Sequence, residues 1–268
     1  MEEKIITTAI GNLHFQIEKG KDKAMVFLHG GGGSSSAWNL MQPYLNKIKN
    51  TKIYIDLRGH GESLRPDTWQ EYSLEKHTED ILALINKLKL KSCIIIGHCL
   101  GSMVAATFAT RYPERVEKLI LINPGINRGT VLFNRFTKYI YTAIYRCIEF
   151  LNIKSITPPQ DRVDYTKFKK THDLSLQRLL TDLRHMGLRT ALSQSVAFFH
   201  WDYERVYKAI KTPTFIIGGK YDTIFNCSTT ERIKYYIPGA KLTIINTNHI
   251  SIMTSPKEVM QQIESFFR

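Results

Sequence analysis

Short apolar runs alternate with loops rich in glycine and charged residues over much of the chain. Six runs have the length and the β-branched composition of buried strands. They occupy residues 24–28, 52–55, 93–96, 119–122, 214–217 and 241–245. A helical pattern follows the third run directly, and a terminal helix is expected over residues 256–267. The pattern therefore predicts an α/β protein.

The alternation stops in a stretch of about 85 residues before position 214, where three helices are predicted instead: 130–152, 173–186 and 188–199. The first helix has a polar stripe of residues spaced three or four apart: Arg135, Lys138, Thr142, Arg146 and Glu149. The rest of its circumference is apolar, including Phe136 and Ile140. Such a helix must be covered on several sides. We expect it to pack over a pocket, with a membrane-surface contact or a lipid-lined tunnel as the alternative.

Composition favours a single globular unit in a reducing compartment. The chain has 268 residues, of which 43% are apolar, enough to bury a substantial core. No run of about 18 apolar residues is present, and the charged start predicts no signal peptide, so we expect a cytoplasmic protein. The four cysteines show neither Cys-x-x-Cys pairs nor metal-ligand spacing with histidine. We therefore expect no disulfides, no metal and no cofactor.

The chain is basic, since 37 Lys and Arg against 24 Asp and Glu give it a net charge of +13. Residues 126–208 contain 14 Lys and Arg against 7 Asp and Glu, so this stretch carries +7 of the excess. A basic surface attracts nucleic acid, acidic carrier proteins, anionic lipids or an anionic substrate. No nucleic-acid motif accompanies it, and the basic residues are dispersed, so we expect no nucleic-acid partner.

A candidate nucleophile lies between the strand run at 93–96 and the helical pattern that follows. The segment Gly97-His98-Cys99-Leu100-Gly101 has the layout of a nucleophile elbow, with a thiol in the central position. Such a turn is strained and needs small residues two positions before and after the nucleophile, which Gly97 and Gly101 provide. The start of a helix favours thiolate over thiol. A buried structural cysteine is the alternative interpretation.

A glycine-rich loop follows the strand run at 24–28 and begins at His29. Glycines let backbone amides approach a reacting oxygen closely, so the amides of Gly31 and Leu100 are the expected oxyanion hole. A phosphate-binding loop would end in Gly-Lys-Ser/Thr, and this loop has no lysine.

A third motif, Asp56-Leu57-Arg58-Gly59-His60-Gly61-Glu62-Ser63, follows the strand run at 52–55. With the glycine loop and the elbow, it makes the chain resemble the α/β-hydrolase superfamily. The resemblance implies a mostly parallel eight-stranded sheet flanked by helices, with an inserted helical cap. It assigns residues 1–125 and 209–268 to the hydrolase core and residues 126–208 to the cap, or lid.

The resemblance also implies a catalytic triad in the order nucleophile, acid, histidine. Asp222 follows the strand run at 214–217 and His249 follows the run at 241–245, where the family places its acid and its base. His29, His60 and His98 stand beside motif glycines, so we interpret them as residues that fix loops. Asn123 follows the strand run at 119–122, where some relatives carry the acid, but an amide does not serve as one.

Residues expected at the substrate are those next to the motifs or on the first cap helix. They are Gly30, Trp38, His98, Phe136 and Ile140. For Trp38, packing near the pocket is the competing interpretation.

The predicted activity is hydrolysis of an ester or thioester through Cys99, His249 and Asp222 and a covalent acyl-enzyme. The substrate is a small acyl compound, with an anionic or carrier-linked acyl group and a peripheral lipid contact as options. The alternatives are an acyltransferase with the same triad, a carbon–carbon bond hydrolase, and a ligand-binding protein on a hydrolase scaffold. An engineered replacement of serine by Cys99 would leave the site assignment unchanged.

Overall fold

The computed structural model describes residues 1–8, 11–128, 132–157 and 161–267 and contains a sheet of eight strands. The strands are β1 (Glu2–Thr8), β2 (Gly11–Glu18), β3 (Asp22–Leu28), β4 (Asn50–Ile55), β5 (Cys93–His98), β6 (Val116–Ile122), β7 (Thr214–Gly219) and β8 (Lys241–Ile245). Their spatial order is β1-β2-β4-β3-β5-β6-β7-β8. Strand β2 runs antiparallel to both of its neighbours, and the remaining pairs are parallel. The prediction of a mostly parallel eight-stranded sheet is confirmed.

Helices lie between the parallel strands and after the last of them. They are α1 (Gln42–Leu45), α2 (Leu74–Lys87), α3 (Leu100–Arg111), α4 (Arg135–Phe150), α5 (Leu176–Met186), α6 (Leu188–Phe199), α7 (Tyr203–Ala209), α8 (Cys227–Tyr236), α9 (Ser251–Thr254) and α10 (Pro256–Phe267). Short 3₁₀ helices cover Ser35–Met41, Trp69–Tyr72, Pro113–Arg115 and Tyr165–Phe168.

The sheet is buried on both faces because successive side chains of a strand point to opposite sides. In β6, Leu119 and Leu121 join the core beneath α2, α3, α7 and α8. Ile120 and Ile122 join the core on the other face, beneath α1, α9 and α10. Both sides of the central strands must therefore be apolar, which explains why they appear in the sequence as unbroken apolar runs.

Within residues 126–208, the described part of the chain is helical and contains no strand. The three helices predicted there are present as α4, α5 and α6, with α7 following. Residues 130 and 131, at the start of the first predicted helix, lie outside the described residues. The boundaries of a separate cap at residues 126 and 208 stay a prediction.

The expectation that α4 is covered on several sides is wrong. Only Tyr145 and Ile148 of this helix are buried, against Leu192 and Val196 of α6. Tyr141 is partly buried against the same cluster, and most of the other apolar side chains of α4 lie at the surface. The large exposed ones are Phe136, Tyr139, Ile140, Ile144 and Phe150. Across the described residues, no helix is long and apolar enough to cross a membrane.

Glycine at the elbow is a packing requirement that stability measurements test. A Cβ at Gly97 would lie 2.2 Å from the carbonyl oxygen of Gly101, a backbone atom that cannot move away alone. Gly97→Ala should therefore lower the free energy of unfolding by about 3 kcal/mol, measured by chemical denaturation. Gly31→Ala is the matched control, because its Cβ would be 4.0 Å from the nearest atom. Equal stability of the two variants would contradict a close backbone contact between Gly97 and Gly101.

Candidate active site

The backbone at Cys99 has a conformation that side-chain-bearing residues rarely adopt, with φ 51° and ψ −116°. The residue lies between the end of β5 and the start of α3, and its amide donates to the carbonyl of Ile122 at 3.0 Å. This turn brings the partly exposed thiol to the carboxyl edge of the sheet, the usual position of a ligand site in α/β proteins. The strained elbow predicted from the glycine spacing is thus present in the backbone geometry.

His249 comes shortly after β8, and its ring lies between Cys99 and Asp222. Its Nδ1 is 2.8 Å from Asp222 Oδ2. The ring lines the same cavity as Cys99, and the two groups are close enough to shift each other's pKa. Because Nδ1 is engaged by the carboxylate, Nε2 is the nitrogen left to exchange a proton with the thiol. The structure thus brings together the three side chains that the sequence proposes as a triad.

Asp222 follows β7, and its carboxylate accepts hydrogen bonds from four donors. Its Oδ1 accepts from the amides of Ile224 and Phe225 at 2.8 and 2.7 Å. Its Oδ2 accepts from the side-chain amide of Asn123 at 2.9 Å as well as from His249. Burial raises the pKa of a carboxyl, but His249 and these donors outweigh that effect and lower the pKa of Asp222. The group is therefore an anion that orients the imidazole.

The pKa values of Cys99 and His249 move in opposite directions. Burial raises the pKa of Cys99, but His249 and the amides of Gly31 and Leu100 outweigh it, and the net pKa is lowered. Burial lowers the pKa of His249, but Cys99 and Asp222 outweigh it, and the net pKa is raised. Both shifts favour a thiolate paired with an imidazolium.

The two amides expected to form an oxyanion hole both lie near Cys99. The backbone amides of Gly31 and Leu100 are close enough to the thiol to lower its pKa, and both residues line the same cavity as Cys99. The glycine loop that presents Gly31 is fixed by His60, whose Nε2 accepts from the amide of Gly32 at 3.2 Å. His29 supports it from below, because its Nε2 accepts from the amide of Leu57 at 3.0 Å. These contacts agree with the interpretation of His29 and His60 as residues that fix loops.

The motif at residues 56–63, after β4, also holds the glycine loop in position. Asp56 accepts from the amides of Ser35 and Glu62 at 2.6 and 3.1 Å, which ties the glycine loop to the motif. Arg58 is fully buried and pairs with Asp80 at 2.9 Å. The motif is therefore a scaffold for the candidate site.

A cavity of about 400 Å³ opens above the sulfur. Cys99, His249, Gly31 and Leu100 line it on the sheet side. Largely apolar side chains of α3, α4, α5 and α6 and of the loops beside them form much of its wall, among them Met103, Phe133, Tyr141, Leu183 and Phe198. The volume suits a small-molecule ligand.

Three of the five expected substrate contacts lie away from this cavity. Trp38 is fully buried against Phe27 in the core beneath α1, α9 and α10, so it is a packing residue. Phe136 and Ile140 are 72% and 40% exposed on the outer face of α4. The prediction that these three residues contact substrate is not supported, because α4 turns Tyr141 and not its neighbours toward the cavity.

The other two expected contacts, Gly30 and His98, border a smaller cavity beside the triad. A ring nitrogen of His98 lies 2.8 Å from the carbonyl oxygen of His249. Burial lowers the pKa of His98 to about 3, so the ring is neutral and fixes the loop of the base. The loop-fixing interpretation of His98 therefore fits its contacts. Gly30 is needed for space, since a Cβ there would be 3.1 Å from Cys99 Cβ.

Two residues at the site were not predicted from the sequence. Asp173, before α5, accepts from the amide of His249 at 2.7 Å and from the amide and hydroxyl of Thr223 at 2.8 Å. Asp173 thus joins the loop that carries His249 to the loop that carries Asp222. Asn123, set aside as unable to act as an acid, supports Asp222 instead. Its φ of 46°, unusual for a residue other than glycine, is a further sign of a special position.

A cluster of potential metal ligands lies outside the candidate site. Ligand atoms of Glu3, His14 and Glu62 lie within 4.8 Å of one another. The guanidinium of Arg162 already pairs with Glu62 at 2.8 Å and with Glu3 at 3.3 Å. The positive charge at this cluster is therefore supplied by the protein itself.

Comparison with known proteins identifies the family. The family model described as alpha/beta hydrolase fold matches residues 23–256, so the chain belongs to this family. A Bacillus subtilis protein provisionally named 2-succinyl-6-hydroxy-2,4-cyclohexadiene-1-carboxylate synthase is 34% identical over 83% of this chain and 82% of its own length. The 2-(acetamidomethylene)succinate hydrolase of Mesorhizobium japonicum is 24% identical over 96% of this chain and 92% of its own length.

Solved structures show the same fold. The enol-lactonase of Burkholderia xenovorans superposes with a TM-score of 0.79 at 20% sequence identity, covering 98% of this chain and 99% of that one. The fold and the class of protein, an alpha/beta hydrolase with relatives that are named hydrolases, thus agree with the elements described above.

The lowered pKa of Cys99 predicts unusual thiol reactivity. An ordinary thiol, with a pKa of about 8.5, loses reactivity about tenfold for each pH unit below that value. Since the Cys99 pKa is lowered, its alkylation by iodoacetamide should stay rapid well below pH 8.5 and fall only in more acidic solution. Peptide mapping after timed alkylation measures this, with exposed Cys147 as the internal reference. A His249→Ala variant should no longer react rapidly below pH 8.5. If the dependence of the alkylation rate on pH is the same in that variant, the ion pair is contradicted.

Proposed function

We propose that this protein hydrolyses an ester or thioester through nucleophilic attack by Cys99. The observation that carries the proposal is the environment of Cys99 at the floor of an open cavity. His249, Gly31 and Leu100 line the cavity beside it, and the His249 ring and the two amides lower the pKa of its thiol. Nucleophile, proton carrier and oxyanion donors are the parts that acyl transfer requires.

In the first step, the thiolate attacks the carbonyl carbon and the carbonyl oxygen takes the negative charge. The amides of Gly31 and Leu100, now near the sulfur, are placed to donate to that oxygen. The tetrahedral species collapses when the bond to the leaving group breaks. His249 gives its proton to the leaving group, which leaves an acyl thioester on Cys99 and a neutral imidazole.

In the second step, His249 takes a proton from water as the water attacks the thioester. The tetrahedral species collapses, the acid is released, and the thiolate and imidazolium are restored. Asp222 keeps Nδ1 of His249 protonated throughout, so that Nε2 always faces the reacting atoms.

The apolar cavity wall fits the acyl part of a small substrate. The relative named as a hydrolase of 2-(acetamidomethylene)succinate supports hydrolysis of a small molecule as the reaction class. Arg135, Lys138 and Arg146 lie on α4 outside the cavity lining, so we assign them no part in substrate selection.

Acyl transfer with the same triad is the second candidate. It is favoured by the sulfur, because a thioester intermediate reacts more readily with acceptors than an oxygen ester does. Incubation of an acyl thioester with and without an alcohol or amine acceptor separates the two activities. Free acid as the main product in both cases supports hydrolysis, and transferred product supports transfer.

Removal of the nucleophile is the direct test of the proposal. Cys99→Ala should lower kcat for a p-nitrophenyl or acyl-coenzyme-A ester by about 10⁴-fold or more, because the covalent intermediate is lost. Cys147→Ala, at an exposed thiol on α4, is the matched control and should keep the wild-type rate. Turnover by Cys99→Ala at the wild-type rate would end the assignment of the nucleophile.

Substitution of Asp222 tests whether this carboxylate orients His249. Asp222→Asn should lower kcat by about 10⁴-fold, since an amide at this position no longer fixes the tautomer of His249. The exposed Asp22→Asn is the control for the same chemical change. Steady-state kinetics with folding checked by circular dichroism measure the effect, and a fully active Asp222→Asn would point to a different acid.

A further inference from the structure

Three buried polar side chains interrupt the largely apolar wall of the main cavity. They are Arg178 and Asp182 on α5 and Gln194 on α6. They are only 9%, 6% and 8% exposed, respectively, although they border the cavity. Charged and amide groups are rarely buried to this degree without partners, so their positions need an explanation.

The arginine and the aspartate form a fixed pair one helical turn apart. Arg178 Nη1 lies 2.8 Å from Asp182 Oδ2, and Arg178 Nη2 donates to the backbone carbonyl of Asp173. Asp173 also binds the amide of His249 through its side chain. The pair is therefore anchored to the loop that presents the base.

The same groups lie beside the glycine loop of the oxyanion hole. A Cβ built at Gly32 would be 2.8 Å from Cβ of Asp182, and one at Gly31 would be 4.0 Å from Nε2 of Gln194. A group bound between these side chains is therefore carried by the acyl part of the substrate, close to the reacting carbonyl.

Each of the three side chains keeps a buried polar atom that has no partner among the described residues. These atoms are Arg178 Nε, Asp182 Oδ1 and Gln194 Oε1. A buried polar atom left unpaired costs about 1–3 kcal/mol. The three residues that carry these atoms border the same cavity, so rotation of their side chains toward a bound ligand would complete the hydrogen bonds.

We infer that Arg178, Asp182 and Gln194 form a subsite for a neutral hydroxyl or amide group on the acyl part of the substrate, an inference that rests on the proposed hydrolysis at Cys99. The free donor on Arg178 and the free acceptors on Asp182 and Gln194 match a group that both accepts and donates. A hydroxyl or a primary amide does both, whereas a methyl group does neither.

A carboxylate on the substrate fits this subsite less well. Asp182 already offsets the charge of Arg178, so a second anion would face the free oxygen of Asp182. Burial raises the pKa of Asp182 to about 7 even though Arg178 opposes the shift. A further negative charge nearby would raise this pKa again, so a substrate carboxylate would bind only with uptake of a proton.

Paired esters of equal size test the subsite. The first pair is ethyl 3-hydroxybutyrate and ethyl 3-methylbutyrate, and the second is the ethyl ester of glutaramic acid and the monoethyl ester of glutaric acid. At pH 8 the hydroxyl ester should exceed its methyl counterpart in kcat/KM by about 10-fold or more, because the methyl group leaves buried polar atoms unpaired. The amide ester should exceed the carboxylate ester in the same way.

Substitutions assign these ratios to the subsite. Gln194→Leu and Asp182→Asn should each reduce the hydroxyl-to-methyl ratio severalfold. Gln177→Leu, the same change on the exposed side of α5, is the matched control and should keep the wild-type ratio. Equal kcat/KM within both pairs, a preference for the carboxylate, or a ratio unmoved by Gln194→Leu would overturn the inference.

Failure of the subsite and failure of the proposed hydrolysis are separable. If Cys99-dependent hydrolysis is observed without the polar preference, only the subsite is wrong. If no ester is hydrolysed, calorimetry with the Cys99→Ala variant and the same four esters tests the subsite without chemistry. Tighter binding of the hydroxyl and amide esters supports it, and equal binding of each pair refutes it.

Discussion

The turn between β5 and α3 sets the geometry of the candidate site. It holds Cys99 at a positive φ, and it is possible only because Gly97 and Gly101 allow the helix to pass within backbone contact of the strands. This close contact between helix and strands places Cys99 and Leu100 in the lining of the same cavity. Backbone strain at one residue is thus stabilised by close packing around it, as is common where a side chain must be presented precisely.

Positioning of His249 depends on long-range contacts. Asp222 binds its ring, Asp173 binds its amide, and His98 lies within hydrogen-bond distance of its carbonyl. These partners come from the loop after β7, from the segment before α5, and from the end of β5. The base is consequently fixed by both the sheet and the helical segment above it, and Asp173 connects its position to that of Arg178.

The sequence predicted the parts of the fold that local chemistry dictates. Strands buried on both faces need unbroken apolar runs, and the elbow needs glycine, so both were visible without coordinates. Trp38 and Phe136 were misplaced because a large apolar side chain looks the same in a core, on a cavity wall or at the surface. Asp173 was not found because its role comes from contacts with Thr223 and His249, 50 and 76 residues away in the chain.

A thiol changes the order of events that the same geometry would impose on a serine. The pKa shifts of Cys99 and His249 favour a resting ion pair. In the proposed hydrolysis, attack would then require no proton transfer, and His249 would already hold the proton that the leaving group needs. Once the sulfur is acylated, its negative charge is gone. Of the two groups that raise the pKa of His249, Cys99 would then be lost and Asp222 would remain, while burial would continue to lower the pKa. In the proposed reaction, the imidazole that has given its proton to the leaving group would thus be a better base for water than it was a partner of the thiolate.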